Sequence, residues 1–157
     1  MIPDGVLVRP ATAYDAGYLS SRLRLGDLEE IAAASGRAPV DALTAGVRAG
    51  GARVIVVEGE LVGMFGCAPG SLATGLGVPW LLGTDALSTR PGLLLRPARA
   101  VVAGWLREYP RLANFVDARH AVAIRWLRWL GFTVDPAAPW GVAGLPFHRF
   151  WMERPDV

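Results

Sequence analysis

Apolar residues in the second half of the chain recur with the period of an α-helix. Steps of three and four residues join Ala98, Val101, Val102, Trp105, Leu106 and Tyr109. This helix starts at Pro97, and Pro110 ends it. A strand is predicted at 112–118 and a second helix at 119–130, after which Gly131 stops the helix. Strands that alternate with helices in this way predict an α/β fold.

The rest of the chain has the order of elements that is typical of a mixed sheet. Thr12 and Asp15 have the spacing of a capping box, which places a helix start there. The other predicted elements are a strand at 5–8, helices at 27–36 and 39–49, a hairpin with strands at 54–57 and 61–67, and strands at 78–84, 132–134 and 147–153. Segments 86–96 and 135–146 are predicted to be irregular. We expect one domain, 1–157, with a mixed central sheet and helices on both faces.

The composition narrows the classes of protein that the chain can belong to. With 157 residues, 52% of them hydrophobic and 19% charged, the chain can bury one core. No apolar run reaches the ~18 residues of a membrane span. All 16 basic residues are arginines scattered among 14 acids, which leaves nucleic-acid binding open without indicating it. Cys67, His120 and His148 are too few for a zinc site, and no metal is predicted.

The segment from His120 to Phe132, HAVAIRWLRWLGF, resembles the late motif of the GNAT acyltransferase superfamily. That motif reads Asn-x-x-Ala-x-x-x-Tyr-x-x-x-Gly-Phe. The predicted order of elements is similar to the GNAT fold over nearly the whole chain. In GNAT enzymes the fourth and fifth strands diverge, acyl-CoA lies between them, and a glycine-rich loop after the fourth strand binds the diphosphate. The resemblance implies the same places in this chain.

The segment that corresponds to the diphosphate loop departs from the GNAT pattern. Residues 88–97 contain one glycine and two prolines, and proline has no N–H to donate. The candidate cofactor-binding residues of this degenerate loop are Arg90, Gly92, Arg96 and Arg99. A surface loop with solvated arginines is the alternative. We therefore expect no tight binding of acetyl-CoA and no cofactor.

The catalytic residues that the resemblance implies are also incomplete. Leu127 stands where the motif has the tyrosine that protonates the leaving thiolate, and leucine cannot donate a proton. The remaining candidates are Asp85 as a general base, His120, and Asp117 to orient His120. Their structural alternatives are a helix cap for Asp85, a salt bridge to Arg119 for Asp117, and capping or packing for His120.

Four blocks of the second half are also similar to a narrower family, the GNAT-like internal virion protein A of short-tailed bacteriophages. The blocks are VPWLLGTD at 78–85, NFVDAR at 114–119, IRWLRWLGF at 124–132 and LPF at 145–147. The resemblance implies a catalytically degenerate virion or assembly protein that binds other phage structural proteins. It also implies synthesis in the bacterial host cytoplasm and a later place in the virion. The alternative is an active N-acetyltransferase that uses acetyl-CoA.

One tryptophan lies in a proline-rich segment instead of a predicted core face. Trp140 follows Pro136 and Pro139 within the irregular segment 135–146. Aromatic side chains on rigid loops often anchor protein interfaces, which makes these three residues the candidate interface. In the alternative, Trp140 folds back and covers its own sheet.

Overall fold

The computed structural model describes residues 4–155, which contain eight strands and six helices. The strands are β1 (Val6–Pro10), β2 (Arg53–Val57), β3 (Glu60–Pro69), β4 (Leu76–Gly83), β5 (Arg111–Asp117), β6 (Thr133–Val134), β7 (Ala138–Trp140) and β8 (Leu145–Glu153). The helices are α1 (Ala13–Ser20), α2 (Leu25–Ala34), α3 (Pro39–Arg48), α4 (Asp85–Thr89), α5 (Gly92–Glu108) and α6 (Ala121–Leu130). The predicted capping box starts α1, where the N–H of Thr12 lies 2.8 Å from Asp15 Oδ2.

The strands form one mixed sheet in the order β1-β2-β3-β4-β5-β8-β6, and β7 also pairs with β8. Strands β1 to β4 are paired antiparallel, as are β5, β8, β6 and β7. The pair β4–β5 is parallel. The two antiparallel halves therefore meet at one parallel seam, and the predicted mixed sheet is confirmed.

Helices cover both faces of this sheet because alternate residues of each strand point to opposite faces. In β2, Val54 joins a buried cluster with Leu19 of α1 and Leu43 of α3. Its neighbour Ile55 joins a different cluster that contains Trp126 of α6. The remaining apolar cluster packs α5 and α6 onto β5 and β8. The prediction of helices on both faces is confirmed.

The seam between β4 and β5 is short. Its register contains two residue pairs, Leu76 with Arg111 and Gly77 with Leu112. Beyond them the Asn114 side chain bridges the strands, because its Nδ2 donates to the Pro79 carbonyl over 2.9 Å. A side chain thus occupies the place of a backbone hydrogen bond, and the strands separate toward their carboxyl ends.

Two predicted irregular segments are regular in the structure. Most of 86–96 belongs to α4 and to the first turns of α5, so Pro97 lies inside a helix. Pro97 is the sixth residue of α5, so it removes the hydrogen bond that its N–H would donate four residues back, and the helix continues past it to Glu108. Part of 135–146 is β7, in which Pro139 pairs opposite Pro146 of β8. Proline has no backbone N–H to donate, and this loss is tolerated on an edge strand such as β7.

Candidate functional site

A large cavity opens where β4 and β5 separate. Its volume is about 930 Å³, and β4, β5, α5, α6 and α2 all contribute to its walls. Apolar and aromatic side chains cover most of the walls, among them Trp80, Leu81, Phe115 and Leu127. Cavities of this size with a few polar groups are the usual form of small-molecule sites. The cavity is therefore the candidate site.

The backbone of β4 presents polar groups to this gap. Thr84 donates its N–H to Val62 of β3 over 2.9 Å, whereas Gly83 donates its N–H to the Asp27 side chain, also over 2.9 Å. Since backbone groups alternate along a strand, Leu81 turns its N–H to the same side as Gly83. The register of β4 with β5 ends at Gly77, so within residues 4–155 no strand runs beside Leu81 on that side. The Leu81 N–H is therefore a donor that faces the cavity.

Helix α2 crosses the open ends of β4 and β5 and carries a buried carboxylate there. Asp27 is 1% exposed and has three partners. Its Oδ2 accepts from Arg24 Nε and from the Gly83 N–H, each over 2.9 Å. Its Oδ1 lies 2.9 Å from His120 Nε2. Asp27 therefore ties α2 both to the end of β4 and to the start of α6.

A second carboxylate, Glu30, lies one helical turn further along α2 and also lines the cavity. Its Oε1 accepts the N–H of Asp117 over 2.8 Å. Burial raises the pKa of Glu30 to about 7, although that hydrogen bond and His120 favour the charged form. A carboxylate whose pKa lies near neutrality can take up and release a proton at physiological pH.

The three predicted catalytic residues have different surroundings in the structure. Asp85 is the first residue of α4 and is exposed, and the helix cap is Thr84 instead. Asp117 is 1% exposed and forms a salt bridge of 2.7 Å with Arg119, as its structural alternative predicts. Burial alone would raise the pKa of Asp117, but the hydrogen bonds from Arg119 hold it below its ordinary value. His120 lines the cavity.

The residue that orients His120 was assigned wrongly from the sequence. Asp117, the predicted partner, accepts a side-chain hydrogen bond from Arg119, and only its backbone carbonyl contacts the His120 N–H, over 2.9 Å. The imidazole is bound by Asp27. The reason is geometric, since α2 reaches across the strand ends and places its carboxylate directly on the ring.

The predicted cofactor-binding residues surround the start of α5 without converging. Arg90 lines a separate cavity of about 130 Å³ beside Glu58 and Glu60. Arg99 lies 3.9 Å from the Trp129 ring and donates to the Trp129 carbonyl over 3.2 Å. Arg96 is exposed, and Gly92 is the first residue of α5.

The predicted interface residue Trp140 packs on its own sheet. Its ring stacks on Phe115 with centroids 4.1 Å apart and meets Phe147 edge-on at 5.1 Å. The side chain is nevertheless 37% exposed. Pro139 is exposed beside it in β7, and Pro136 precedes that strand. That Pro136, Pro139 and Trp140 contact a partner stays a prediction.

Sequence reasoning missed Arg24, Asp27, Glu30 and Leu81. Asp27 and Glu30 lie on α2 and Arg24 immediately precedes it, about ninety positions before His120, and no local motif joins them to it. From the sequence, Asp27 is assigned only as the start of the helix predicted at 27–36. One available signal is the spacing of Asp27 and Glu30, which puts both carboxylates on one helix face beside Gly26.

Other chemistry receives little support from the described residues. Within residues 4–155, no three His, Cys, Asp or Glu side chains are grouped so that they could hold a metal ion. No helix in that range combines the length and the apolar character that crossing a membrane requires. Burial raises the pKa of Cys67 to about 12, which keeps its thiol protonated.

No protein-family profile and no curated protein matches the chain. Solved structures do match it over almost its whole length. A ribosomal-protein-S5-alanine acetyltransferase from Vibrio fischeri has a TM-score of 0.71 at 13% identity, over 99% of this chain and 97% of the other. An aminoglycoside acetyltransferase in complex with coenzyme A has a TM-score of 0.68 at 20% identity, over 95% of each chain. A GNAT-family acetyltransferase from Bacillus anthracis has a TM-score of 0.70 at 11% identity, over 96% of this chain and 95% of the other.

The chain therefore has the GNAT acetyltransferase fold, as the first resemblance predicts. Identities this low establish the fold alone. The narrower resemblance to an internal virion protein finds no support among these structures.

The interpretation as a catalytically degenerate phage virion protein is wrong. The structures that match almost the whole chain are acetyltransferases, and several of them hold coenzyme A or acetyl-CoA. The prediction rested on four similar blocks in the second half, on the proline-interrupted loop and on the missing tyrosine, whereas Asp27 and Glu30 of the cavity come from α2, outside all of these segments. The contacts with other phage proteins and with nucleic acid, and the localisation in host cytoplasm and virion, are tested by none of these structures.

Proposed function

We propose that this chain is an N-acetyltransferase that moves the acetyl group of acetyl-CoA to an amine. The observation that carries the proposal is the open seam between β4 and β5, where the Leu81 N–H and the Glu30 carboxylate line one cavity. A backbone donor and a base with a pKa near 7 are the two groups that acyl transfer to an amine requires.

Acetyl-CoA fits this cavity better at its acyl end than at its diphosphate end. The apolar walls and a volume of about 930 Å³ suit the acetyl group and the pantetheine arm. At the other end, the start of α5 at Gly92 would meet the diphosphate, but the Leu94 N–H of its first turn already donates to the Pro91 carbonyl over 3.1 Å. Pro91 supplies no N–H there, and Arg99 is engaged by Trp129. We expect binding that depends more on the pantetheine arm than on the phosphates.

The chemistry assigned to the chain's own groups is simple. The neutral amine nitrogen attacks the thioester carbonyl carbon, and Glu30 takes a proton from that nitrogen as the C–N bond forms. The Leu81 N–H donates to the oxygen that becomes negative in the transition state. A C–N bond forms, the C–S bond breaks, and CoA leaves as its thiolate. The apolar walls strengthen both electrostatic contributions because they exclude water.

Binding and transfer test this function directly. Acetyl-CoA at 100 times its dissociation constant should stabilise the fold by about 2.7 kcal/mol, which a thermal-shift series detects. Mass spectrometry of a panel of primary amines should then reveal acetylated products. Absence of any stabilisation by acetyl-CoA or CoA at millimolar concentration would overturn the proposal.

The role of the Leu81 N–H can be tested by removing that one donor. Leu81→Pro deletes the N–H, and Pro79 shows that this edge of β4 accepts proline. Loss of an oxyanion donor typically lowers kcat about 10²- to 10³-fold. The control Leu81→Ala shortens the side chain and keeps the N–H, so its kcat should stay near the wild-type value. A folded Leu81→Pro variant with wild-type kcat would remove Leu81 from the mechanism.

A further inference from the structure

The thiolate that leaves in the proposed reaction needs a proton, and the cavity wall beside α6 restricts where it can come from. Leu127 lines the cavity on α6 and has no ionisable group. Glu30 has just accepted the proton of the amine. His120, at the start of α6, also lines the cavity, and its imidazole can donate a proton from a ring nitrogen.

The His120 ring is held by contacts on two sides. Its Nε2 lies 2.9 Å from Asp27 Oδ1, and the side chain is 7% exposed. A Cβ added at Gly26 would lie 2.9 Å from the ring Cε1, so the missing side chain of Gly26 makes room for the imidazole. Within residues 4–155, His120 Nδ1 has no hydrogen-bond partner, and it is not sealed from solvent. Nδ1 is therefore the ring atom that is free to exchange a proton.

The groups around Asp27 fix the geometry of its hydrogen bond to His120. Asp27 also accepts from Arg24 Nε and from the Gly83 N–H, and the two charged side chains are 1% and 5% exposed. Arg24 itself lies 5.1 Å from the Trp126 ring and donates to Ser88 over 3.2 Å. A carboxylate with three donors is a fixed acceptor, which keeps a proton on Nε2 and directs Nδ1 away from it.

We propose that His120 is the catalytic acid of acetyl transfer, with Nδ1 delivering a proton to the thiolate sulfur and Asp27 acting as a positioning residue. This inference rests on the proposed function. In each turnover the amine proton goes to Glu30 and from Glu30 to solvent, the Nδ1 proton goes to sulfur, and the imidazole regains a proton from solvent. The ionised Asp27 stabilises the charged imidazole before transfer, as the acid of an Asp–His pair requires.

Leaving-group dependence separates an acid from a residue that only supports the fold. His120→Asn replaces the imidazole by an amide, which cannot protonate sulfur. With acetyl-CoA as donor, kcat should fall about 100-fold, the usual contribution of a general acid. With an acetyl thioester of an aryl thiol, whose thiolate leaves without protonation, wild type and His120→Asn should have similar kcat/KM. An equal loss with both donors would overturn the assignment.

A second variant supplies the missing acid elsewhere on the same wall. In His120→Asn/Leu127→Tyr, a tyrosine hydroxyl on α6 can protonate the sulfur, so most of the lost activity with acetyl-CoA should return. Leu127→Phe in the same background is the matched control and should rescue nothing, since it has the ring without the hydroxyl. Rescue by both variants, or by neither, would count against His120 as the acid. If the wild-type chain transfers no acetyl group at all, it is the proposed function that fails.

Discussion

At the scale of single residues, Glu30 connects the stability of the chain to its proposed chemistry. Glu30→Gln keeps an acceptor for the Asp117 N–H but cannot take a proton. Its kcat should fall at least about 100-fold, and the rise of the rate with pH through about 7 should disappear. Glu29→Gln is the control, because Glu29 contacts Arg119 at the surface, and this variant should keep both the rate and the pH profile. Equal losses in the two variants would contradict the role of Glu30.

The raised pKa of Glu30 also predicts how stability changes with pH. Below pH 4.5 the carboxyl is protonated in the folded and the unfolded chain, so it contributes nothing. Between pH 4.5 and about 7 the unfolded chain loses the proton first, so the free energy of unfolding falls as pH rises and then levels off. A pKa that rises from 4.5 to about 7 corresponds to about 3 kcal/mol.

Glu30→Gln should therefore be more stable than wild type at pH 8 and lose that advantage near pH 4. Urea denaturation at a series of pH values measures it. Asp117, whose pKa is lowered, acts at lower pH and in the opposite sense, so it does not mask the effect. A wild type that is as stable as Glu30→Gln at pH 8 would show that Glu30 is not destabilised by burial.

Which site residues the sequence can reveal depends on whether they belong to one local segment. His120 and Leu127 are found because a motif with fixed spacing spans one turn and one helix. Asp27, Glu30 and the Leu81 N–H are brought to the same cavity by the crossing of α2 over two strand ends. That crossing is a feature of the tertiary structure, which no local motif encodes. A backbone N–H is present in almost every residue, so the sequence does not single it out.

At the scale of elements, the sequence predicts helices and strands well where apolar residues repeat and poorly where prolines dominate. The repeat from Ala98 to Tyr109 locates the body of α5. Pro91 and Pro97 argue against a helix in the preceding segment, although the structure has α4 and the first turns of α5 there. In the same way Pro139 argues against a strand where the structure has β7. In each case contacts from the rest of the fold stabilise a segment whose local preferences are weak.

The hairpin of β7 and β8 gives a prediction at this scale, because Trp140 joins it to β5. Trp140→Ala removes a stacked contact with Phe115 and an edge contact with Phe147. We expect a loss of about 2 kcal/mol in the free energy of unfolding, less than for a fully buried tryptophan because the ring is 37% exposed. Chemical denaturation measures the loss.

Trp129→Ala is the matched control, since Trp129 is 44% exposed and packs mainly against Arg99. An exposed cation–π contact is worth about 0.5–1 kcal/mol, so this variant should lose less. If Trp140→Ala were as stable as wild type, the contacts with Phe115 and Phe147 would be dispensable, and Trp140 would be available for a partner.

At the scale of the whole molecule, the sheet behaves as two antiparallel halves joined at a weak seam. Two register pairs connect β4 to β5, and the Asn114 side chain adds one bond to Pro79. Helix α2 adds further links, because it binds Gly83 of one half and Asp117 of the other, and an apolar cluster packs Cys67 of β3 with Leu112 of β5. Side chains and helices thus hold the two halves together and leave the gap between them open for a ligand.

This arrangement predicts which part of the molecule opens first. Amides of 24–30, 80–84 and 114–120 should exchange hydrogen together, with a lower free energy of opening than the amides of β2 and β3, because cooperative units follow the density of contacts. Asn114→Ala should speed exchange in those segments, since it removes the bridge to Pro79. Acetyl-CoA should slow exchange there in both halves at once, because a ligand in the gap contacts β4 and β5. Hydrogen exchange read by mass spectrometry measures all three effects, with Ser20→Ala on α1, away from the seam, as the control. Uniform exchange across the sheet, or protection by acetyl-CoA confined to one half, would show that the ligand does not lie in the seam.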